Sequence, residues 1–185
     1  RALVIEHSTN SVVRGCRISG SGFNGAFYGS DYLSALRVKW SFGSAVEDCA
    51  VENSALHGVG ASVENSEETL ITGSTVTAAS LVLNIADSWR TEVRRSGLYG
   101  GDEMTGVYLS GGGFNLVERS AVSCSAGGTC LGAGSAVIME GGAVQTVRES
   151  YLHSGYSGAV INGSQGALLA SNLIAAGSGA RSRRS

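Results

Sequence analysis

A chain of 185 residues that is 43% hydrophobic is long enough to bury a core and too apolar to be disordered. Its net charge of −2, with basic residues scattered except at Arg181, Arg183 and Arg184, argues against a nucleic-acid surface. Its apolar runs are too short for a membrane-spanning helix. Twenty-eight glycines stand beside no proline, where average usage would give roughly nine. Proline is shut out of strands whose N–H groups all pair, so the absence suits a fold built from interior strands.

In chain order, the first element places Leu3 and Ile5 two apart, then Val13, Cys16 and Ile18 at fixed offsets. The second repeats this with Leu36, Val38, Val46, Cys49 and Val51, and the third with Ala61, Val63, Ile71, Ser74 and Val76. Leu83, Ile85, Val93, Ser96 and Leu98 follow, then Val107, Leu109, Val117, Ser120 and Val122. Two last copies use Val137, Met139, Val147, Ser150 and Leu152, and Ala159, Ile161, Leu169, Asn172 and Ile174. Val, Ile, Leu and Met make up 42 of the 185 residues yet hold 26 of the 28 apolar template positions. Seven copies in order are not a chance match. Period-two spacing predicts strands with one buried face. Small or polar pairs such as Asn65-Ser66, Asp87-Ser88, Gly111-Gly112 and Gly141-Gly142 predict a turn between two strands per copy.

The anchors Val13, Val46, Ile71, Val93, Val117, Val147 and Leu169 are separated by 33, 25, 22, 24, 30 and 22 residues, with all variation in one segment after the second strand. An invariant coil with insertions in one loop is how a solenoid behaves. The predicted fold is all-β: a right-handed parallel β-helix of about seven coils, with residues 175–185 as a flexible tail. Gly20, Gly22 and Gly25 form a G-x-G-x-x-G match, but no helical pattern follows it, so it reads as loop. Leu3 is already core-facing, Ile174 closes a strand, and no cap pattern flanks either. These features lead us to expect a single segment, 1–185, cut from a longer chain.

An Ile/Val-x-x-Asn-x-Ile/Val kernel of this kind resembles the parallel β-helix repeat of the pectate-lyase-like superfamily, over residues 3–174. The chain departs from it where the family stacks asparagines: only Asn172 is kept, and Cys16, Cys49 and four serines fill the column. More narrowly, the stretch from Val13 through Cys16 and Phe23 resembles the β-helix regions of fibrocystin-type cell-surface proteins.

Stacking makes further expectations concrete. Equivalent residues of neighbouring coils lie about 4.8 Å apart, so Arg14–Glu47, Arg94–Glu118, Glu118–Arg148 and Arg119–Glu149 become opposite-charge neighbours on a solvated face. Cys16 and Cys49 share a column within disulfide range, though side-chain direction decides whether they bond. Cys124 and Cys130 share one Gly-rich insertion, where a bond would staple the loop. Four cysteines suit an oxidising compartment, extracellular or at the cell surface. No Cys-x-x-Cys spacing supports a metal, and no cofactor is expected.

The family resemblance implies polysaccharide chemistry on the strand just after the variable loop. Outward positions there include Arg37, Lys39, Glu64, Asn84 and Tyr108, a candidate glycan-binding file, with Phe23, Phe27, Tyr28, Asp31 and Tyr32 in the nearby insertion. No two acids neighbour each other on this face, whereas hydrolases need paired carboxylates and lyases need clustered acids for calcium. Asp102, Glu103 and the histidines His7, His57 and His153 have no evident partner and read as surface residues. The expected function is therefore a non-catalytic structural or adhesive segment whose partners are other protein chains, the rest of its own chain, or glycans. A polysaccharide-acting lyase, hydrolase or epimerase is the second reading.

Overall fold

Aliphatic residues two apart make strands, and what turns each strand into a coil is a left-handed backbone residue at each of three corners. His7, Trp40, Asn65, Asp87, Gly111, Gly141 and Gly163 occupy the first corner column, all at positive φ. Asn10, Gly43, Glu68, Arg90, Phe114, Val144 and Gly166 form the second, and Gly15, Asp48, Gly73, Arg95, Arg119, Glu149 and Ser171 the third. The computed structural model describes residues 2–21, 34–101, 104–124, 134–176 and 180–183, with side chains described up to residue 176.

Three parallel sheets result. The first has eight strands: Leu3–Glu6, Ser34–Lys39, Val59–Glu64, Leu81–Ala86, Thr105–Ser110, Ser135–Glu140, Ser157–Asn162 and Ala180–Arg183. The second has seven three-residue strands, Val12–Arg14, Ala45–Glu47, Leu70–Thr72, Glu92–Arg94, Leu116–Glu118, Thr146–Arg148 and Leu168–Ala170. The third runs through Arg17–Gly20, Ala50–Asn53, Thr75–Ala78, Gly97–Gly100, Ala121–Ser123, Tyr151–Ser154 and Leu173–Ala176. This is a right-handed parallel β-helix of about seven coils. The predicted neighbours Ile5/Val38, Val38/Val63 and Val13/Val46 are in register.

Two expectations change. Each coil has three strands rather than two, because the third corner splits the second predicted strand, and a one-residue turn leaves little compositional trace. The segment 175–185 is not simply a tail: Ala175 and Ala176 end a third-sheet strand, and Ala180–Arg183 pairs with Ser157–Asn162.

The predicted inward aliphatics form the core; only Leu3, Val13, Ile161, Leu169 and Ile174, in the first and last copies, are partly buried. Each fully buried one contributes on the order of 2 kcal/mol. Two positions of the first sheet must stay small. A Cβ on Gly106 would lie 2.3 Å from Val122 Cγ1, and one on Gly158 would lie 2.1 Å from Ile174 Cγ2.

Polar residues close the corners from inside. Cys49 N donates to Ser74 Oγ at 3.1 Å, Ser74 N to Ser96 Oγ at 3.3 Å, Ser96 N to Ser120 Oγ at 3.3 Å and Ser120 N to Ser150 Oγ at 3.2 Å. Ser150 N donates to Asn172 Oδ1 at 2.9 Å. Serine therefore does the work of the stacked asparagines. A second ladder, Ser8–Ser41–Ser66–Ser88, stops at Gly112; beyond it Asn115 Nδ2 and Gln145 Nε2 cap the carbonyls of Ser88 and Gly111, each at 2.9 Å.

Candidate functional site

The pleat of the first sheet aims alternate residues away from the core and aligns them coil by coil. Arg37, Ser62, Asn84 and Tyr108 make one outward file, and Lys39, Glu64, Ala86, Ser110, Glu140 and Asn162 a second beside it. Arg37 Nη2 donates to Glu64 Oε2 at 2.6 Å, and Lys39 Nζ lies 3.9 Å from the same oxygen. Although they point away from the core, the Arg37 and Glu64 side chains are only 3% and 9% exposed. Ser62 and Asn84 are buried beside them, with Ser62 Oγ 2.9 Å from Ser34 Oγ.

Glu64 Oε1 is buried and has no hydrogen-bond partner among the described residues. A buried carboxylate oxygen in that condition is costly and calls for an explanation, such as a ligand hydroxyl. Lys39 is less covered, at 16%, and its ammonium lies 4.0 Å from the centroid of the Trp40 ring. His7 stacks on Trp40 at 4.9 Å, so it has a partner that the sequence reading missed. Period-two alternation could have signalled this, since His7 and Trp40 share a corner column.

Two clusters emerge from the candidate file. Arg37, Lys39 and Glu64 meet directly, with Asn84 on the next coil. Tyr108 instead donates its hydroxyl to Glu140, which also receives Asn162 Nδ2 at 3.4 Å. Glu140 had been an isolated acid in the sequence; here it forms a phenol–carboxylate pair. Such groups can hold sugar hydroxyls, neutralise a carboxylate and move a proton. Among the described residues no group of three His, Cys, Asp or Glu side chains could hold a metal ion. Phe23, Phe27, Tyr28, Asp31, Tyr32, Asp102 and Glu103 lie outside the described residues.

The cysteines divide. Cys124 is buried and disulfide-bonded, and its predicted partner Cys130 lies outside the described residues. Cys16 and Cys49 are free thiols, against the expectation that they could bond. Both sulfurs turn towards the carbonyl two residues back, at 3.3 Å to Arg14 O and 3.2 Å to Glu47 O, and Cys49 Sγ accepts from Cys16 N. They stack in parallel as ladder members instead of facing each other.

The second sheet carries the predicted charge pairs. Arg14–Glu47 lies at 2.5 Å, Arg94–Glu118 at 3.7 Å, Arg148–Glu118 at 2.7 Å and Arg119–Glu149 at 2.7 Å. The hydrogen bond and then the charge of Arg119 hold the Glu149 carboxyl below its ordinary range, and Glu149 raises Arg119 in return.

No family model matches the sequence, and no curated protein matches it. Two solved structures share the fold. A periplasmic alginate epimerase superposes with a TM-score of 0.66 at 12% identity, over 94% of this chain and 46% of that one. The A-module of a mannuronan C-5 epimerase from Azotobacter vinelandii gives 0.58 at 12% identity, over 96% of this chain and 56% of that one. This chain thus spans about half the length of each. At such identity the likeness establishes the fold alone, a right-handed parallel β-helix. It lends no support to the narrower fibrocystin-type resemblance.

The comparison corrects the expectation of a non-catalytic scaffold. The two solved structures described above are of epimerases, so the fold itself does not favour a scaffold over an enzyme. The sequence argument looked only for paired acids, as in hydrolases, or clustered acids for calcium, as in lyases. That pairing is a need of glycoside hydrolysis, whereas a reaction that removes and returns a proton needs an acid–base couple and charge neutralisation.

Proposed function

We propose that this coil stack belongs to a polysaccharide-acting enzyme and that the outer face of the first sheet is its sugar-binding groove. The observation that carries the proposal is the Arg37–Glu64 ion pair, buried on a face that points away from the core, with Glu64 Oε1 unpaired among the described residues. Lys39 is the cation left to meet a sugar carboxylate, and the Tyr108–Glu140 pair, three coils further along and so facing a different sugar of the polymer, is a couple able to handle a proton. Glu64 and Glu140 stand three coils apart, about 14 Å by the stacking distance, too far to flank one glycosidic bond. We therefore favour an epimerase- or lyase-type reaction over hydrolysis, in keeping with the epimerases that share the fold. The Cys124 disulfide and the periplasmic neighbour both support a location outside the cytoplasm. Among the described residues no helix is long and apolar enough to cross a membrane.

The test is incubation with a panel of uronate polysaccharides. Proton NMR would follow inversion at C-5, ultraviolet absorbance would follow unsaturated ends, and melting temperature would follow binding. Turnover or thermal stabilisation by at least one polymer, lost in Lys39→Ala and Glu64→Gln, is the expected result. A panel with neither effect would remove the groove reading.

A further inference from the structure

The corner between the first and second sheets holds a second arrangement that the groove does not use. Asp87 and Trp89 leave coil four and lie down on the bare turn of coil five. A Cβ on Gly111 would sit 2.2 Å from Asp87 Oδ1, and one on Gly113 would sit 2.9 Å from Trp89 Cζ3. Only glycine at both positions lets a carboxylate and an indole rest side by side on that backbone. The indole packs against Gly113 and is 43% exposed. Phe114 flanks it at 6.1 Å between ring centroids and is 55% exposed; Val144 extends the apolar strip to coil six.

The charges around this platform restrict what it can take. Asp87 is exposed and makes no ion pair among the described residues. Arg90 is held away by Glu67 and by Glu68, the latter at 3.2 Å. A flat aromatic face beside a carboxylate that can accept two hydroxyl protons matches a pyranose ring, with its apolar C–H face and vicinal hydroxyls. A polyuronate would bring its own carboxylates against Asp87, Glu67 and Glu68 and be repelled. A cationic ligand is better served by several enclosing aromatic faces than by one open face next to an arginine. A protein partner would need a larger desolvated apolar centre than these three side chains provide. We infer that Asp87, Trp89 and Phe114 form a binding platform for a neutral polysaccharide, separate from the first-sheet groove.

Native affinity electrophoresis through gels containing cellulose-, xylan-, mannan- or dextran-type polymers tests this, with alginate and polygalacturonate gels for comparison. Retardation by at least one neutral polymer is expected, at least tenfold weaker in Trp89→Ala and unchanged in Glu64→Gln. Both Trp89 and Asp87 are exposed, so their variants should melt with the parent. Asp87→Asn suits the left-handed corner and tests the charge alone; it should bind the neutral polymer at least threefold more weakly and discriminate less against uronates. No retardation by any neutral polymer overturns the inference. So does retardation that Trp89→Ala leaves intact, or, with the groove disabled by Lys39→Ala, tighter binding of uronates than of neutral polymers. The readout is binding rather than turnover, so its failure leaves the groove reading standing, and the reverse also holds.

Discussion

Arginine meets glutamate across neighbouring coils on two faces of this solenoid, by the same pleat and nearly the same register. On the second sheet the Arg14 and Glu47 side chains are 68% and 21% exposed, while on the first those of Arg37 and Glu64 are 3% and 9% exposed. The first pair sits in water, where Coulomb attraction is weak and salt screens it. The second has given up its hydration, so each charge depends on the other. Charge alternation along a stack is therefore no guide to function by itself. Burial of the pair on an outward face separates a candidate site from a solvated surface.

Both faces rest on one core, so the largest effect should come from breaking it. Val93 is fully buried in the middle of the stack, and Val93→Asp would put an unpaired charge there. We expect a loss of several kcal/mol, seen as a collapse of the urea midpoint. A midpoint close to that of the parent would mean that the interior is wet and that the contrast between the faces has no dry core behind it.

Next come the two glutamates themselves. Glu64→Ala takes one carboxylate from the buried Arg37 guanidinium and should cost about 2–3 kcal/mol. Glu47→Ala should cost about 0.5 kcal/mol or less, since Arg14 simply returns to water. Paired denaturation curves decide the matter: equal losses would show that the Arg37–Glu64 pair is as hydrated as the other.

The ladder column gives a smaller effect and separates polarity from packing. Cys49 accepts from Cys16 N and occupies the place that serine fills on later coils. Cys49→Ser should be close to neutral, while Cys49→Val removes an acceptor and a donor at a cost of about 1 kcal/mol. Under native, non-reducing conditions Cys16 should react readily with a thiol reagent and Cys49 slowly. Equal protection of the two would indicate a bond between them.

Much of this architecture was legible in the residues and some was not. Aliphatic spacing of two, recurring seven times, defined the coil and its register, because a dry interior tolerates little else at those positions. The charge column of Arg14, Glu47, Arg94, Glu118 and Arg148 followed from the stacking alone. The third sheet was hidden because its corner is a single left-handed residue that can be Gly15, Asp48, Arg95 or Glu149. The candidate file Arg37, Lys39, Glu64, Asn84 and Tyr108 was named correctly as outward, but outward was taken to mean exposed. Burial of Arg37 and Glu64 depends on tertiary cover that no local pattern reports, and the Tyr108–Glu140 pair spans 32 residues. The Trp89 platform was invisible for a related reason: it needs Gly111 and Gly113 to be read as floor for the previous coil rather than as turn residues of their own.

The smallest effect belongs to Arg119–Glu149, the exposed pair at the third corner, and its signature is a dependence on conditions rather than a magnitude. Arg119 holds the folded-state pKa of Glu149 below the ordinary 4.5. A carboxylate depressed on folding contributes stability that is present above its unfolded value and is lost as pH falls through the folded one. Arg119, raised further by Glu149, stays charged throughout and adds no pH dependence in the working range. Glu149→Gln should therefore be slightly less stable than the parent at neutral pH and low salt. The gap should close on acidification below pH 4.5 and shrink at high ionic strength, as water-exposed charges require. Glu64→Gln offers the contrast, since its gap should survive added salt because a buried pair is poorly screened. Melting curves of both variants in low and high salt therefore measure the difference between the faces directly, and parallel salt responses would erase it.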